Sequence, residues 1–432
     1  MVVHQKKINL RSWVSWFLAV LFYFYEFMIQ VSPGVMANDL MKTFNISGLS
    51  LGNLSAYYFY SYALMQLVTG LILDRLGPRK LIATSSIVCA IGCFLFSKSA
   101  TIQHAEICRI IIGMGSACAV VSAFKIAAQW FEKKMFGIMA GMTVTVGMMG
   151  AICGEVPLAW LVDTIGWRQM MELFAVVGII ISIIVYVTVR DAPIPHNIIK
   201  NKATFFHSLK EVLSCKQTWF TSIYGGLMFA PTTALGSLWG VSWMCAYYGF
   251  DRTQATQIIS FLFLGWVVGS PLSGMLTNYF GKCKTTMHYG SILTLVVILM
   301  LIFIQTWAPL SLAILWFFLG FASSGFLPFM SIIKNLHADY NAGTAMSFGN
   351  AMNMAGGAFL QPFIGFILDC LWDGTVVDGV RIYTASNFTY ALLILPFLTL
   401  TSLYILSRIK ENYMNSHTAE DKMNPINDVV YT

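Results

Sequence analysis

The chain has 432 residues, of which 57 % belong to the apolar set AVILMFWYC and only 10 % are charged, with a formal net charge of +7. Soluble domains carry roughly 25 % charged residues, so the chain lacks the surface that keeps a soluble enzyme dispersed, and its many Phe, Trp and Tyr residues exclude disorder. The positive residues fall in short segments between apolar runs and form no basic face, which excludes nucleic acid as a partner.

About 20 apolar residues span a bilayer core as helix. Twelve such runs are predicted, near 13–36, 51–73, 81–98, 105–129, 136–161, 169–189, 218–246, 254–277, 287–305, 308–333, 342–368 and 388–407. Each must be helical, because lipid offers no partner to an open strand edge. Lys6, Lys7 and Arg11 precede the first run, which is too long for a signal-peptide core and has no cleavage-like end, so it is read as the first span. The longest loop lies between six runs and six. The expected organisation is an N-terminal six-helix bundle at 1–189, a cytoplasmic loop at 190–217, a C-terminal six-helix bundle at 218–408 and a cytoplasmic tail at 409–432. Within the loop, Phe205 to Leu213 has the pattern of a short amphipathic helix lying on the inner membrane surface. With the N-terminus inside, nineteen Lys and Arg fall on the inner side and five on the outer, so both termini are predicted to be cytoplasmic. The short loops and the lack of a targeting segment suit a bacterial inner membrane.

The two halves repeat. Gly70-Leu-Ile-Leu-Asp74-Arg75-Leu-Gly77-Pro-Arg79-Lys80 follows the second span, and Gly274-Met-Leu-Thr-Asn278-Tyr279-Phe-Gly281-Lys282-Cys-Lys284 follows the eighth, at an offset of 204. Gly150 to Asp163 in span five aligns with Gly356 to Asp369 in span eleven at an offset of 206. Two ordered matches at nearly one offset predict two similar six-helix halves, an architecture common among secondary transporters.

These residues resemble the major facilitator superfamily. Gly70, Asp74, Arg75, Gly77, Arg79 and Lys80 match its loop motif between spans two and three, and Arg109 followed by Gly113 and Gly115 is similar to its fourth-span pattern. The second loop copy departs from it, with Asn278 and Tyr279 in place of the acid and base, and the mid-helix Gly-Pro of the antiporter motif is absent from span five, where Pro157 follows Glu155 near the outer end. The resemblance covers roughly residues 10–410. It implies an all-α integral membrane protein of twelve transmembrane helices in two pseudo-symmetric six-helix bundles. The bundles rock about a cavity lined by spans 1, 4, 7 and 10, with 2, 5, 8 and 11 at the seam and 3, 6, 9 and 12 outside. It also implies that Asp74 faces the inner start of span eleven, so that Gly70, Asp74, Arg75, Gly77 and Arg79 act in gating, and that the protein works as a monomer.

Few residues in the spans can carry chemistry. Glu26 sits mid-span, where an ionised carboxylate is costly, and Tyr23 and Gln30 share its face. Glu26 is expected to bind and release a coupling proton; the alternative is a structural hydrogen bond between helices. Arg109 offers a fixed fork of donors to a carboxylate or phosphate, or else pairs with Glu106 or Glu155 to hold the first half together. Glu155 is a candidate for proton handling near the outer mouth, and its counterpart in the repeat is the neutral Gln361. Lys125 and Lys334 either snorkel to headgroups or draw anions to the inner mouth. Ser55, Tyr58, Tyr62, Gln66 and Thr69 form a polar stripe on span two that faces protein or water. Asn350, Asn353, Gly357 and Gln361 form another on span eleven. Tyr224 in span seven completes the candidate binding set.

Nine Cys without a CxxC, and seven His of which none lies mid-run, leave no metal or haem ligands, so no cofactor is expected. No phosphate loop, HExxH or GxSxG occurs, which argues against ATP as the energy source and against an enzyme. The predicted function is secondary active transport of a small polar organic solute (amino acid, short peptide or organic anion) with protons in symport. A proton-driven exporter and a non-transporting solute sensor on the same fold are the alternatives.

Overall fold

A computed structural model describes residues 10–132, 135–190, 205–304, 308–338, 341–377 and 379–411. Lys6, Lys7, Lys133, Lys134, Lys200, Lys202, the tail beyond 411 and the Asp74 side chain, all invoked above, lie outside the described residues.

The first half comprises α1 (Leu10–Val35), α2 (Ala37–Phe44), α3 (Gly48–Ser97), α4 (Ile102–Ser116), α5 (Ala119–Trp130), α6 (Phe136–Cys153), α7 (Val156–Ile165) and α8 (Trp167–Thr188). The connecting helix α9 (Phe205–Ser214) falls where the amphipathic pattern predicts it. The second half comprises α10 (Lys216–Ala234), α11 (Gly240–Tyr248), α12 (Arg252–Phe280), α13 (Cys283–Phe303), α14 (Pro309–Ser323), α15 (Phe329–Asn335), α16 (Ala342–Cys370), α17 (Ala385–Leu392) and α18 (Ile394–Arg408). The all-helical expectation has one small exception. Strands β1 (Val376–Val377) and β2 (Val380–Arg381) form an antiparallel hairpin before the last span.

Among the described residues, eleven helical runs are long and apolar enough to cross a bilayer. The twelfth expected span, 218–246, is helical in three pieces: α10, a π-helical turn at Leu235–Trp239, and α11. Its buried Thr218, Thr221, Ser222, Thr232, Thr233 and Ser237 make it more polar than the other eleven. Most breaks have a local cause. Span five stops at Gly154–Glu155 ahead of Pro157, and span ten narrows to a 3₁₀ turn at Ser324–Phe326 ahead of Pro328. Spans two and three are one run, α3, bent at Gly77, whose φ of 74° is open to glycine without the Cβ clash of other residues.

Glycines set the closest helix approaches. Gly147, Gly150 and Gly154 face α1: a Cβ on Gly150 would lie 2.2 Å from the Phe24 carbonyl oxygen. Gly356, the repeat partner of Gly150, has the same relation to α10, with 2.3 Å to the Gly226 carbonyl oxygen. The repeat found in the sequence is therefore a repeat of contacts, span five on span one and span eleven on span seven. Spans 3, 6, 9 and 12 carry exposed apolar side chains such as Ile91, Ile183, Phe303 and Phe397, the surface that lipid covers.

Twelve helical traverses, counting span seven in its three pieces, leave Leu10 and Glu411 on one face, called the terminal face; the other is the distal face. The seam is tighter at the distal face. There a Cβ on Gly52 would meet Pro362 Cα at 2.7 Å and one on Gly365 would meet the Gly48 carbonyl oxygen at 2.3 Å. Toward the terminal face Gly70, Gly141, Gly274 and Gly343 would meet nothing within 4 Å.

Candidate functional site

The site begins with a proline. Pro33 has no N–H to give the carbonyl of Ile29, four residues back in α1. That carbonyl instead accepts from Ser32 Oγ at 2.9 Å and from Arg109 Nη1 at 3.3 Å. Arg109 is delivered by α4, which packs unusually close to α3. A Cβ on Gly113 would lie 2.2 Å from the Tyr58 carbonyl oxygen, and one on Gly115 would lie 2.8 Å from that of Ser85. The two glycines of the fourth-span pattern thus face the two arms of the bent α3. One turn before Gly113, the Arg109 guanidinium sits over the Tyr58 ring, 4.8 Å from its centroid, in a cation–π arrangement.

Tyr58 is shared. Its hydroxyl donates to Glu26 Oε1 across the α1–α3 contact. Tyr23 and Tyr62 also lie close enough to Glu26 to feel its charge. Glu26, Tyr58 and Arg109 therefore form one buried cluster, at 1 %, 0 % and 1 % exposure. Several of its polar atoms have no protein partner: Glu26 Oε2, Gln30 Oε1, and Arg109 Nε and Nη2. An unpartnered buried donor or acceptor costs about 1–3 kcal/mol, so these atoms are open to a further hydrogen-bond partner.

Arg109 has no ion pair with Glu106 or Glu155 among the described residues, so the pairing alternative raised by the sequence is not what holds it. Glu155 is fully buried at the break in span five, and neither carboxylate oxygen has a hydrogen-bond partner. Lys125 is half-buried in the middle of α5, and Lys334 is exposed in the last turn of α15.

The stripe on span two is buried along its length: Ser55, Tyr58, Tyr62, Gln66 and Thr69 are all at 1 % exposure or less. Asn350 on span eleven neighbours Tyr62 across the seam. The Asn350 amide nitrogen and Asn353 Oδ1 lack partners. Gln361 serves helix packing: its Nε2 donates to the Thr233 carbonyl at 2.9 Å, and its own carbonyl accepts from Trp239 Nε1 at 3.0 Å. Tyr224 is not brought to the cluster. Its hydroxyl lies 2.9 Å from Ser291 Oγ and 3.2 Å from the Met287 carbonyl, both in α13.

Of the loop motif, Gly77 makes the bend and Arg75 is exposed. Arg79 Nε donates to the Tyr186 carbonyl at 2.8 Å while its guanidinium covers the Tyr186 ring, which ties the loop to α8. Among the described residues, no group of three or more His, Cys, Asp or Glu could hold a metal ion.

The sequence reading passed over a set of residues at the distal face. Arg252, first in α12, donates to Asp163 Oδ1 at 2.8 Å and to Asp39 Oδ2 at 2.6 Å. Asp369, near the end of α16, accepts from the backbone N–H of Gly48 and Leu49, at 3.1 and 2.8 Å. Tyr383 hydroxyl donates to Asp369 at 2.5 Å and accepts from Gly48 N at 2.7 Å. The signal was present, because Asp163 and Asp369 close the second repeat match.

A bundle of apolar helices in two repeated halves, with a buried charged cluster between spans 1, 2 and 4, defines a multi-pass membrane transporter fold. The family model of the Major Facilitator Superfamily matches residues 16–359 and 221–422, and the chain belongs to that family. A probable sulfoacetate transporter of Cupriavidus necator is 21 % identical over 60 % of this chain and 63 % of its own length. A probable hexose phosphate transport protein of Chlamydia trachomatis is 24 % identical over 64 % of this chain and 66 % of its own. The chain thus spans just under two thirds of these two relatives. A lysosomal dipeptide transporter of Danio rerio is 22 % identical over 90 % of this chain and 85 % of its own. Among solved structures, a bacterial homologue of the human lysosomal transporter Spinster, inward-facing and unoccupied, superposes with a TM-score of 0.76 at 17 % identity, covering 93 % of this chain and 97 % of that one.

Proposed function

We propose that the chain is a secondary active transporter that imports a small organic anion with protons by alternating access. The observation that carries this is the sharing of Tyr58 between a buried acid and a buried base: its hydroxyl on Glu26, its ring beneath Arg109. Arg109 keeps two free nitrogens and no carboxylate partner, which suits a solute anion arriving as counter-ion. Glu26 keeps one free oxygen in a site where a bare charge is costly. Proton loss at Glu26 alters the Tyr58 hydrogen bond, and Tyr58 in turn underlies the guanidinium, so occupancy at one end is felt at the other. The relatives whose printed names concern sulfoacetate and hexose phosphate support an anion; the dipeptide relative supports a zwitterion carrying one.

In this reading the two bodies are residues 1–189 and 218–408, and Glu155 is a second acid near the distal mouth. The positive-inside bias makes the terminal face cytoplasmic, so the tight distal face corresponds to an inward-facing state in an inner membrane.

The test is uptake by proteoliposomes of sulfonates, organic phosphates, carboxylates and dipeptides, each with and without an inward proton gradient. The expected result is gradient-driven accumulation of one anionic class, lost in Glu26→Gln while counterflow of the same solute persists. Accumulation that survives in Glu26→Gln would overturn the coupling role. Binding without any flux would return the sensor reading.

A further inference from the structure

The two aspartates at the distal face occupy equivalent places in the repeat. Asp163 ends span five and Asp369 ends span eleven, at the offset of 206 that aligns the two helices. Their targets are also equivalent. Asp163 holds Arg252, the first residue of α12, and Asp369 holds the N–H of Gly48, the first residue of α3. Gly48 and Arg252 are 204 residues apart, the offset of the other repeat match. Each acid therefore reaches from one half to the first turn of the other half's second span.

We propose that Asp163 and Asp369 are a pair of gating residues for transport, two latches that hold the distal face shut and must both let go before a solute can pass there. The assignment does not depend on which solute is carried.

The two latches use different chemistry. Asp369 takes two amide hydrogens at a helix N-terminus, where the helix dipole favours a negative charge. Tyr383 clamps the same pair, and Arg381 Nη1 lies 3.5 Å from the carboxylate. The backbones here are too close to admit a side chain, since a Cβ on Gly365 would lie 2.3 Å from the Gly48 carbonyl oxygen. The other latch is a side-chain fork. Arg252 spans Asp163 and Asp39, which belong to the other half. The bonds of Gly48 and Leu49 with Asp369, of Gly48 with Tyr383, and of Arg252 with Asp163 and Asp39 join the two halves, whose elements must separate for the distal face to open, while Tyr383 and Arg381 steady Asp369 from within its own half. A purely structural role would place such bonds within a half, as Lys98–Glu172 and Arg168 with the Ser97 and Ser99 carbonyls are placed.

The experiment reads distal accessibility in the full-length protein in proteoliposomes. Ser237, buried at 1 % in the π turn, has its backbone against α1 at Gly34. Ser237→Cys is made in a background of Cys153→Ser, Cys245→Ser and Cys370→Ser, and an impermeant maleimide is added at the distal face. Slow labelling is expected with the latches intact. Asp369→Asn and Asp163→Asn should each speed labelling, the former by about tenfold, because hydrogen bonds to a charged group are worth more than neutral ones, and the double variant should exceed both. Asp369→Glu should stay near the parent rate. If Asp369→Asn fails to fold, Tyr383→Phe and the surface variant Asp163→Asn carry the same test. Labelling at the parent rate in Asp163→Asn and in Tyr383→Phe, with folded protein, would overturn the proposal whatever the outcome of the uptake assays, and failed uptake alone leaves it standing.

Discussion

At the residue scale, Arg109 is held by one carbonyl and one aromatic ring rather than by an acid. A lysine keeps the charge but loses the planar fork and much of the stacking. Arg109→Lys is therefore expected to raise the KM for the anion by about tenfold or more while leaving proton-independent leak unchanged, the loss expected when one hydrogen bond to a charged group goes; transport kinetics across a range of solute concentration would show it. An unchanged KM would remove Arg109 from the binding site. A second expectation concerns the terminal face. His337 lies 2.6 Å from Thr218 Oγ1 through Nε2. Burial holds the His337 pKa below its usual value, with Glu211 acting in the opposite sense. A histidine whose pKa is lowered on folding favours the neutral ring, so its contribution is present above the ordinary histidine range near ~6.5 and is lost as pH falls through the lowered value. Hydrogen-exchange protection in residues 205–220, taken relative to the intrinsic rate at each pH, should fall on mild acidification, and His337→Gln should flatten that response.

The burial of Glu26 and the span-two stripe was legible in the residues, because spacing on one helix fixes which side chains share a face. The joining of Glu26 to Tyr58 and of Arg109 to Tyr58 was not. Those contacts depend on how three helices are rotated against one another, and spacing within one helix carries no such information. Tyr224 shows the same limit from the other side: an aromatic hydroxyl in a span finds a neighbouring helix as readily as a cavity. The distal acids appeared in the sequence only as the ends of the second repeat match, since nothing local distinguishes a solvated aspartate from one that caps another helix 320 residues away.

At the element scale, small residues decide how near two helices come. Gly320 in α14 faces α12 so closely that a Cβ would lie 1.8 Å from the Leu262 carbonyl oxygen. Gly265 repeats the contact from α12, 2.0 Å from the Phe317 carbonyl oxygen. Gly320→Ala must push α12 and α14 apart, at a cost of about 1–3 kcal/mol. A lower thermal midpoint in detergent would be the sign. Gly343→Ala, where nothing lies within 4 Å, should be neutral or slightly stabilising, since alanine is the better helix former. The breaks in spans five and ten were foreshadowed by Pro157 and Pro328. The π turn in span seven was not, because a run of small and hydroxylated residues permits a wider turn without announcing one.

At the scale of the whole molecule, the two halves are alike in packing and unlike in charge. The repeat-related contacts of Gly150 and Gly356 show the likeness. The unlikeness is that Glu26, Arg109 and Glu155 all belong to the first half and are buried within it. In the described spans of the second half, Lys and Arg residues such as Lys216, Arg252, Lys284, Lys334 and Arg408 stand at helix ends, and the acid Asp369 does too. Where the first half offers a carboxylate in span five, the second offers the amide of Gln361.

This one-sided arrangement fixes how a membrane potential can act. Voltage does work only on charge that changes its depth in the field, about 2.3 kcal/mol for each elementary charge moved through 100 mV. The first half holds the ionisable groups buried within the spans, so in the proposed transport reading that half is the voltage-sensitive body and the second an electrically quieter counterweight. Neutralising Glu26 or Arg109 should alter the voltage dependence of the transport rate, whereas Asn353→Ala or Gln361→Ala should change the rate and leave its voltage dependence as it was.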